Sequence, residues 1–190
     1  MRRIVAGITS LLQHFQEIEQ RPESYRPPCC PDCGLKPVWV HGSYSRKADL
    51  CHRGEENLNP VPILRYRCPG CGLTCSRLPE CIAPRRWYAW QLQEKRLRRL
   101  LAPSCPDAPE LSDVSGAADA ADPCPIPARR TVQRWWHWLQ ARTMEFRFAL
   151  SSRFPELGRA ADGTEFWLQV FDTLGLSRAM AWCDQEMNVP

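Results

Sequence analysis

No stretch of this chain approaches the ~18 consecutive apolar residues that a membrane-crossing helix needs. A secretory leader is missing as well: Arg2-Arg3 is followed only by a short apolar run, broken by Gly7, Thr9 and Ser10. There is no Gly-rich phosphate loop and no Gly-x-Ser-x-Gly turn, so the usual sequence marks of nucleotide hydrolysis and of a serine nucleophile are absent. Nor does His-x-Glu occur, which removes the deaminase pattern that would precede Pro-Cys-x-x-Cys. These absences lead us to expect a cytoplasmic, non-enzymatic protein with no membrane partner. In that compartment thiols stay reduced, and paired cysteines read as metal ligands.

Cysteine and proline are what the chain has in quantity. Its 11 cysteines are an odd number and cannot all pair within one chain, while 18 prolines in 190 residues cut it into short pieces and argue against a single large core. Hydrophobic residues at 44% and charged ones at 24% suit a folded protein, of one medium or two small domains. The net charge of +4 is unevenly spread. Residues 1–102 hold 17 Lys/Arg against 9 Asp/Glu, whereas residues 153–190 hold 3 against 6. A basic N-terminal half suits a polyanionic partner such as nucleic acid, or is simply a solvated face.

The chain divides into four parts. Residues 1–27 are expected to hold a helix, because Ile4, Ile8, Leu11, Leu12, Phe15 and Ile18 recur at three- and four-residue steps. Residues 28–82 read as short strands: Val38–Val40, a turn at His41-Gly42-Ser43, a return over residues 44–49, a polar loop over residues 51–60, and Ile63–Arg67 leading to Leu73–Ser76. Residues 83–152 read as two strong helices, 86–101 and 128–152, around a Pro/Ala-rich linker at 103–127. Residues 153–190 form an acidic tail with two short helices, at 166–174 and 176–183.

The strongest chemical signal is a repeated knuckle, Cys30-Pro31-Asp32-Cys33-Gly34 and Cys68-Pro69-Gly70-Cys71-Gly72. Two cysteines separated by two residues bite one metal from a single tight turn, and the following glycine lets the chain turn back. Cys30, Cys33, Cys68 and Cys71 would hold one Zn2+. It would be structural, because four thiolates leave no open position for a catalytic water. The ligand set has neighbours that leave it open: Cys29, Cys75, His41 and the pair Cys51-His52, which could take a second metal with Cys75 or Cys81. The simpler reading of these is a polar loop and buried thiols.

A second signal is basic and helical. Arg129, Arg130, Thr131, Gln133 and Arg134 open the helix at 128–152, with Val132, Trp135 and Trp136 positioned to pack inward. Arginine clamps phosphate or reads guanine, and glutamine reads adenine. Arg85, Arg86, Lys95, Arg96, Arg98 and Arg99 would line a phosphate backbone from the preceding helix, or equally form a solvated face. Trp39, Tyr44 and Tyr66 interleave with Arg46, Lys47, Arg65 and Arg67, a composition that suits stacking on bases or an ordinary core.

Residues 30–90, through CPDCG, VWVHGSYSRK and ILRYRCPGCGLTCSRLPECIAPRRWYAW, resemble a bacterial zinc-ribbon family of transposase-like proteins of insertion sequences. In that family the ribbon precedes a helix-turn-helix whose last helix carries Thr-Val-x-Arg-Trp, and RRTVQRWW at 129–136 is similar to that element. The resemblance covers roughly residues 28–150. It implies an α+β fold, a small zinc ribbon flanked by helices with a helix-turn-helix-like C-terminal part. It also implies ligands at Cys30, Cys33, Cys68 and Cys71, a recognition helix opening near Arg129, and double-stranded DNA as partner. The first helix of that unit would fall in residues 103–127. A catalytic domain with three acidic residues, as full transposases carry, has no room after residue 152. The expectation is a DNA-binding portion or accessory protein, with a transposase or another protein as a further partner. The alternatives are a protein-docking module and a degenerate relic.

Overall fold

The computed structural model describes residues 4–46, 58, 60–84, 88–102 and 127–186. Among these the fold is α+β, with six α-helices, a three-stranded antiparallel sheet and a two-stranded parallel pair. Three buried clusters form, two small ones around the sheet and a larger one among the helices.

The chain enters as β1 (Ile4–Val5), which lies parallel to β5 (Leu78–Pro79). The helix expected from residue 4 starts later, as α1 (Leu11–Gln20). Ser10 sets its origin: its hydroxyl accepts the N–H of Gln13 at 3.1 Å, and the Gln13 side chain accepts the N–H of Thr9 at 2.9 Å. That reciprocal cap outweighs the apolar periodicity ahead of it. Ile4 and Ile8 are buried, but in different clusters rather than along one helical stripe.

The sheet has the order β2 (Trp39–Arg46), β3 (Val61–Arg67), β4 (Thr74–Ser76). The turn expected at His41-Gly42-Ser43 is instead the middle of β2. The pairing with β3 slips by one residue between Val40 and Gly42, and Gly42 takes φ +116°. This is a bulge, and a side chain would strain it. Most of the polar loop expected over residues 51–60 lies outside the described residues. Central strand β3 is buried on both faces: Val61 and Ile63 join Leu78 and Ile82, while Tyr66 joins Tyr25, Val38 and three cysteines.

His14 ties α1 to this sheet. It is fully buried, with Nε2 2.8 Å from the carbonyl of Pro62 and Nδ1 2.5 Å from the Tyr25 hydroxyl. A carbonyl only accepts, so Nε2 carries the proton and Nδ1 accepts from Tyr25. Burial holds the His14 pKa below 6.5, partly offset by the bond to Pro62.

The helical part comprises α2 (Trp90–Leu101), α3 (Arg129–Ala141), α4 (Thr143–Ser151), α5 (Gly163–Thr173) and α6 (Leu176–Glu186). The helix expected from residue 86 therefore begins at Trp90, and the one expected over 128–152 is broken at Arg142, whose φ and ψ are −115° and 10°. Side chains hold the break. Thr143 donates its hydroxyl to the Leu139 carbonyl at 3.0 Å and accepts the indole N–H of Trp167 at 3.0 Å. The two helices expected in the acidic stretch are α5 and α6, and they are no free tail. Phe166, Trp167, Val170, Ala179 and Met180 are buried with Trp90, Leu97, Trp135 and Phe146. The linker at 103–127 lies outside the described residues up to residue 126. Among the described residues, no helix is long and apolar enough to cross a membrane.

Two polar contacts join the two parts: the Ile4 N–H donates to the buried Asp184 at 2.7 Å, and the Ser177 hydroxyl donates to the Glu80 carbonyl at 2.9 Å. Within the N-terminal part the Gly7 N–H donates to the Glu80 carboxylate at 2.8 Å.

A pH dependence follows from His14. Its folded pKa lies below the unfolded value of 6.5, so as pH falls below 6.5 the unfolded chain takes up a proton that the native chain resists. Stability present above that pH is lost on acidification. In His14→Gln, which keeps a donor and an acceptor but does not titrate, urea-unfolding free energies measured from about pH 7 to about pH 5 fall less steeply than in the native sequence. Equal slopes would remove His14 as the titrating group.

Candidate metal centre

The two knuckles are built alike. The Cys30 N–H donates to the Leu35 carbonyl at 2.8 Å and the Gly34 N–H to the Cys30 carbonyl at 2.9 Å. The second repeats this, with Cys68 to Leu73 at 2.9 Å and Gly72 to Cys68 at 3.0 Å. Gly34 and Gly72 have φ of +74° and +72°, where L side chains are rare, so glycine closes each turn. The sheet then brings the turns together. Val38 is buried just after the first, β3 ends at Arg67 just before the second, and Trp39 pairs with Arg67. Both knuckles thus sit at one end of the β2–β3 ladder. Leu35 of the first covers Gly70 of the second so closely that an added Cβ would lie 2.7 Å from its Cδ2.

Four sulfurs converge as a result. The ligand atoms of Cys30, Cys33, Cys68 and Cys71 all lie within 4.8 Å of one another. Cys30 and Cys71 are 3.7 Å apart at sulfur, and Cys33 and Cys68 are 3.5 Å apart. A metal with four sulfurs at about 2.3 Å has tetrahedral edges of about 3.8 Å, so the spacing fits one ion. It is far too long for disulfides, at about 2.05 Å. The first cysteine of each knuckle is buried and the second is exposed. One side of the centre therefore belongs to the core with Tyr66 and Val38, and the other faces solvent.

The thiols do not ionise independently. The N–H groups of Cys71 and Gly70, helped by neighbouring sulfurs against burial, bring the Cys68 thiol down to about 7. At Cys71 the N–H of Leu73 acts the same way, but burial and the other three sulfurs outweigh it and push the thiol up to about 12. Cys33 is also raised, the sulfurs of Cys68 and Cys30 outweighing the N–H of Leu35. Four thiolates this close need a cation between them to be negative together.

Among the neighbours left open by the sequence, Cys29, Cys75 and His41 are outside this group. Cys75 is buried in the core beside Tyr66, where burial raises its thiol. Cys51 and His52 lie outside the described residues, so a second metal there has no geometry. Arg85 and Arg86 also lie outside them. Arg96 is half-buried and Arg99 exposed on α2. Between them, Arg98 is committed to Glu94 at 3.0 Å and Asp172 at 2.5 Å. On α3, Arg129, Arg130 and Arg134 are exposed, Thr131 and Gln133 half-buried, and Val132, Trp135, Trp136 and Leu139 buried. Sequence reasoning missed the His14–Tyr25 pair. Its one signal was a histidine among the apolar positions of an amphipathic segment.

A family model described as a domain of unknown function (DUF6431) matches residues 30–135, from the first clustered cysteine into α3. No curated protein and no solved structure matches significantly.

The centre makes a stoichiometric prediction. The native chain binds one metal ion by elemental analysis, Cys33→Ser loses most of it together with thermal stability, and Cys29→Ser keeps both. Full metal content in Cys33→Ser would show that the four sulfurs are not the ligands.

Proposed function

The chain belongs to the DUF6431 family, and from that footing we propose that it is a non-catalytic zinc-ribbon protein that binds double-stranded DNA. The ion is zinc, because four sulfurs in a tetrahedron suit it and leave no coordination position open for substrate. Its work is to hold together a sheet whose own clusters are small.

One observation carries the DNA reading. α3 is pinned by its buried Val132, Trp135, Trp136 and Leu139, with Tyr88 edge-on to Trp135 at 5.4 Å. Its opposite side presents Arg130 and Arg134 to solvent, and Arg129 is exposed at the helix start. None of the three makes an ion pair among the described residues, unlike Arg142, which pairs with Glu145, and Arg147, which donates to the carbonyls of Gly158 and Ala160. Arg130, Gln133 and Arg134 fall at three- and four-residue steps and share a face. Nothing in the fold needs that concentration of unpaired charge on a rigid helix. Phosphate does, with Gln133 and Thr131 in reach of base edges. Arg96 and Arg99 of α2 extend the basic surface. In this reading α3 is the recognition helix of a helix-turn-helix-like unit, and the likeness to transposase-like proteins supports a role in transposition or its control.

A second reading, a protein-docking module, is favoured by Met144 and Phe148, which are 76% and 85% exposed one turn apart on α4. An apolar interface through them would depend little on salt, whereas release of counterions from DNA makes binding fall steeply with salt.

In mobility shifts with zinc-loaded protein, replacing Arg129, Arg130 and Arg134 with Ala abolishes duplex binding, while the melting temperature and zinc content stay unchanged. Each single replacement lowers the log–log salt slope by about one, as expected when one phosphate is no longer neutralised. Undiminished affinity in the triple variant would reject α3 as the DNA-reading element.

A further inference from the structure

The three-stranded sheet contains no acidic residue. Cross-strand partners in an antiparallel sheet share a face, and alternate residues point to opposite faces. By register, Trp39 stands opposite Arg67 and Arg67 opposite Thr74; Gly42 stands opposite Arg65 and Arg65 opposite Ser76; Tyr44 stands opposite Ile63. One face therefore carries Trp39, Tyr44, Arg65 and Arg67; its β3 side is open at Arg65 and Arg67 and closes beyond them, where Ile63 and Val61 are buried with Leu78 and Ile82, while Tyr66 and Cys75 turn to the other side and enter a second cluster.

Trp39 is 58% exposed and Tyr44 40% exposed, so these rings do not serve the core. Arg67 is exposed, and Arg65 is half-buried and donates to the Thr74 hydroxyl at 3.2 Å, which holds its guanidinium along the sheet. Between the two rings lies Gly42, where an added Cβ would meet nothing within 4 Å. Four ladder steps separate the rings, or about 14 Å along the strand.

We infer that this face binds single-stranded DNA, with bases stacked on Trp39 and Tyr44 and the phosphate backbone following Arg65 and Arg67. Every base has a face that stacks on an aromatic ring, and arginines between such rings track the charge that links the bases. The complete absence of acidic side chains from the sheet matches a polyanion. An added peptide strand fits less well, because the bulge at Gly42 interrupts the outer edge of β2. The surface lies on different elements from α3, so duplex and single strand would be held by separate parts of the chain.

The test is fluorescence anisotropy of zinc-loaded full-length protein with a labelled oligo-dT and with a duplex of the same length. The native chain binds oligo-dT. Trp39→Ala and Tyr44→Ala each weaken that binding about tenfold and leave duplex affinity and zinc content unchanged. Tyr44→Phe, which keeps the ring, retains oligo-dT binding. Alanine at Arg129, Arg130 and Arg134 has the reverse effect, sparing oligo-dT, which separates this inference from the α3 reading. No oligo-dT binding by the native chain would overturn the inference. So would oligo-dT binding indifferent to both aromatic substitutions, or a weakening that runs in parallel for single strand and duplex.

Discussion

The gathering of four cysteine sulfurs within 4.8 Å of one another, which as thiolates would repel unless a cation lay between them, is the constraint around which the N-terminal part is arranged. Among the described residues the buried cluster on the Cys30–Cys68 side of the sheet has seven buried members, two of which are Cys30 and Cys68 themselves. A centre that is at once core and ligand set couples packing to coordination. The buried Cys30 and Cys68 fix the knuckles to Tyr66 and Val38, and the exposed Cys33 and Cys71 complete the four-sulfur cluster. The end of the sheet that carries Trp39 and Arg67 is the end at which the two knuckles meet.

The helical part solves a different problem. Its stretch of acidic composition folds back on the basic one, and Asp172 from α5 draws Arg98 of α2 into an ion pair while Arg98 lies 5.4 Å over the ring of Phe171. The exposed pair itself adds little to stability. Its effect is to divide the arginines into those serving the fold, Arg98, Arg142 and Arg147, and those left to solvent on α3. A charge count along the sequence merges these two groups, and only packing separates them.

Elements whose cause is local were legible in the sequence. The knuckles declare themselves by spacing and a closing glycine. β3 shows in its β-branched and aromatic run, and the inward side of α3 in Val132, Trp135, Trp136 and Leu139. Elements held by distant partners were not. β1 is two residues long and exists because Leu78 lies beside Ile4. The break at Arg142 has no glycine or proline to announce it, since it depends on Trp167, 24 residues beyond Thr143. β2 was divided because Gly42 reads as a turn, and the strand is exposed along nearly its whole length, so it offers no alternation to contradict that reading. At the metal centre, spacing alone could not choose between Cys29 and Cys30. Cys30 is the residue whose N–H and carbonyl close the knuckle.

The hydrogen bond from Ile4 to Asp184 joins residues 180 positions apart. A chain emerging from the ribosome at about 5–20 residues per second exposes Ile4 long before Asp184 exists to receive it. The knuckles, whose four cysteines span residues 30 to 71, can take metal while α5 and α6 are still unmade. Metal capture can thus precede the contact of β1 with α6. Until then Ile4 and Val5 are held only from within the N-terminal part, by pairing with Leu78 and Pro79, and the bonds from Ile4 to Asp184 and from Ser177 to Glu80 close once α6 is made.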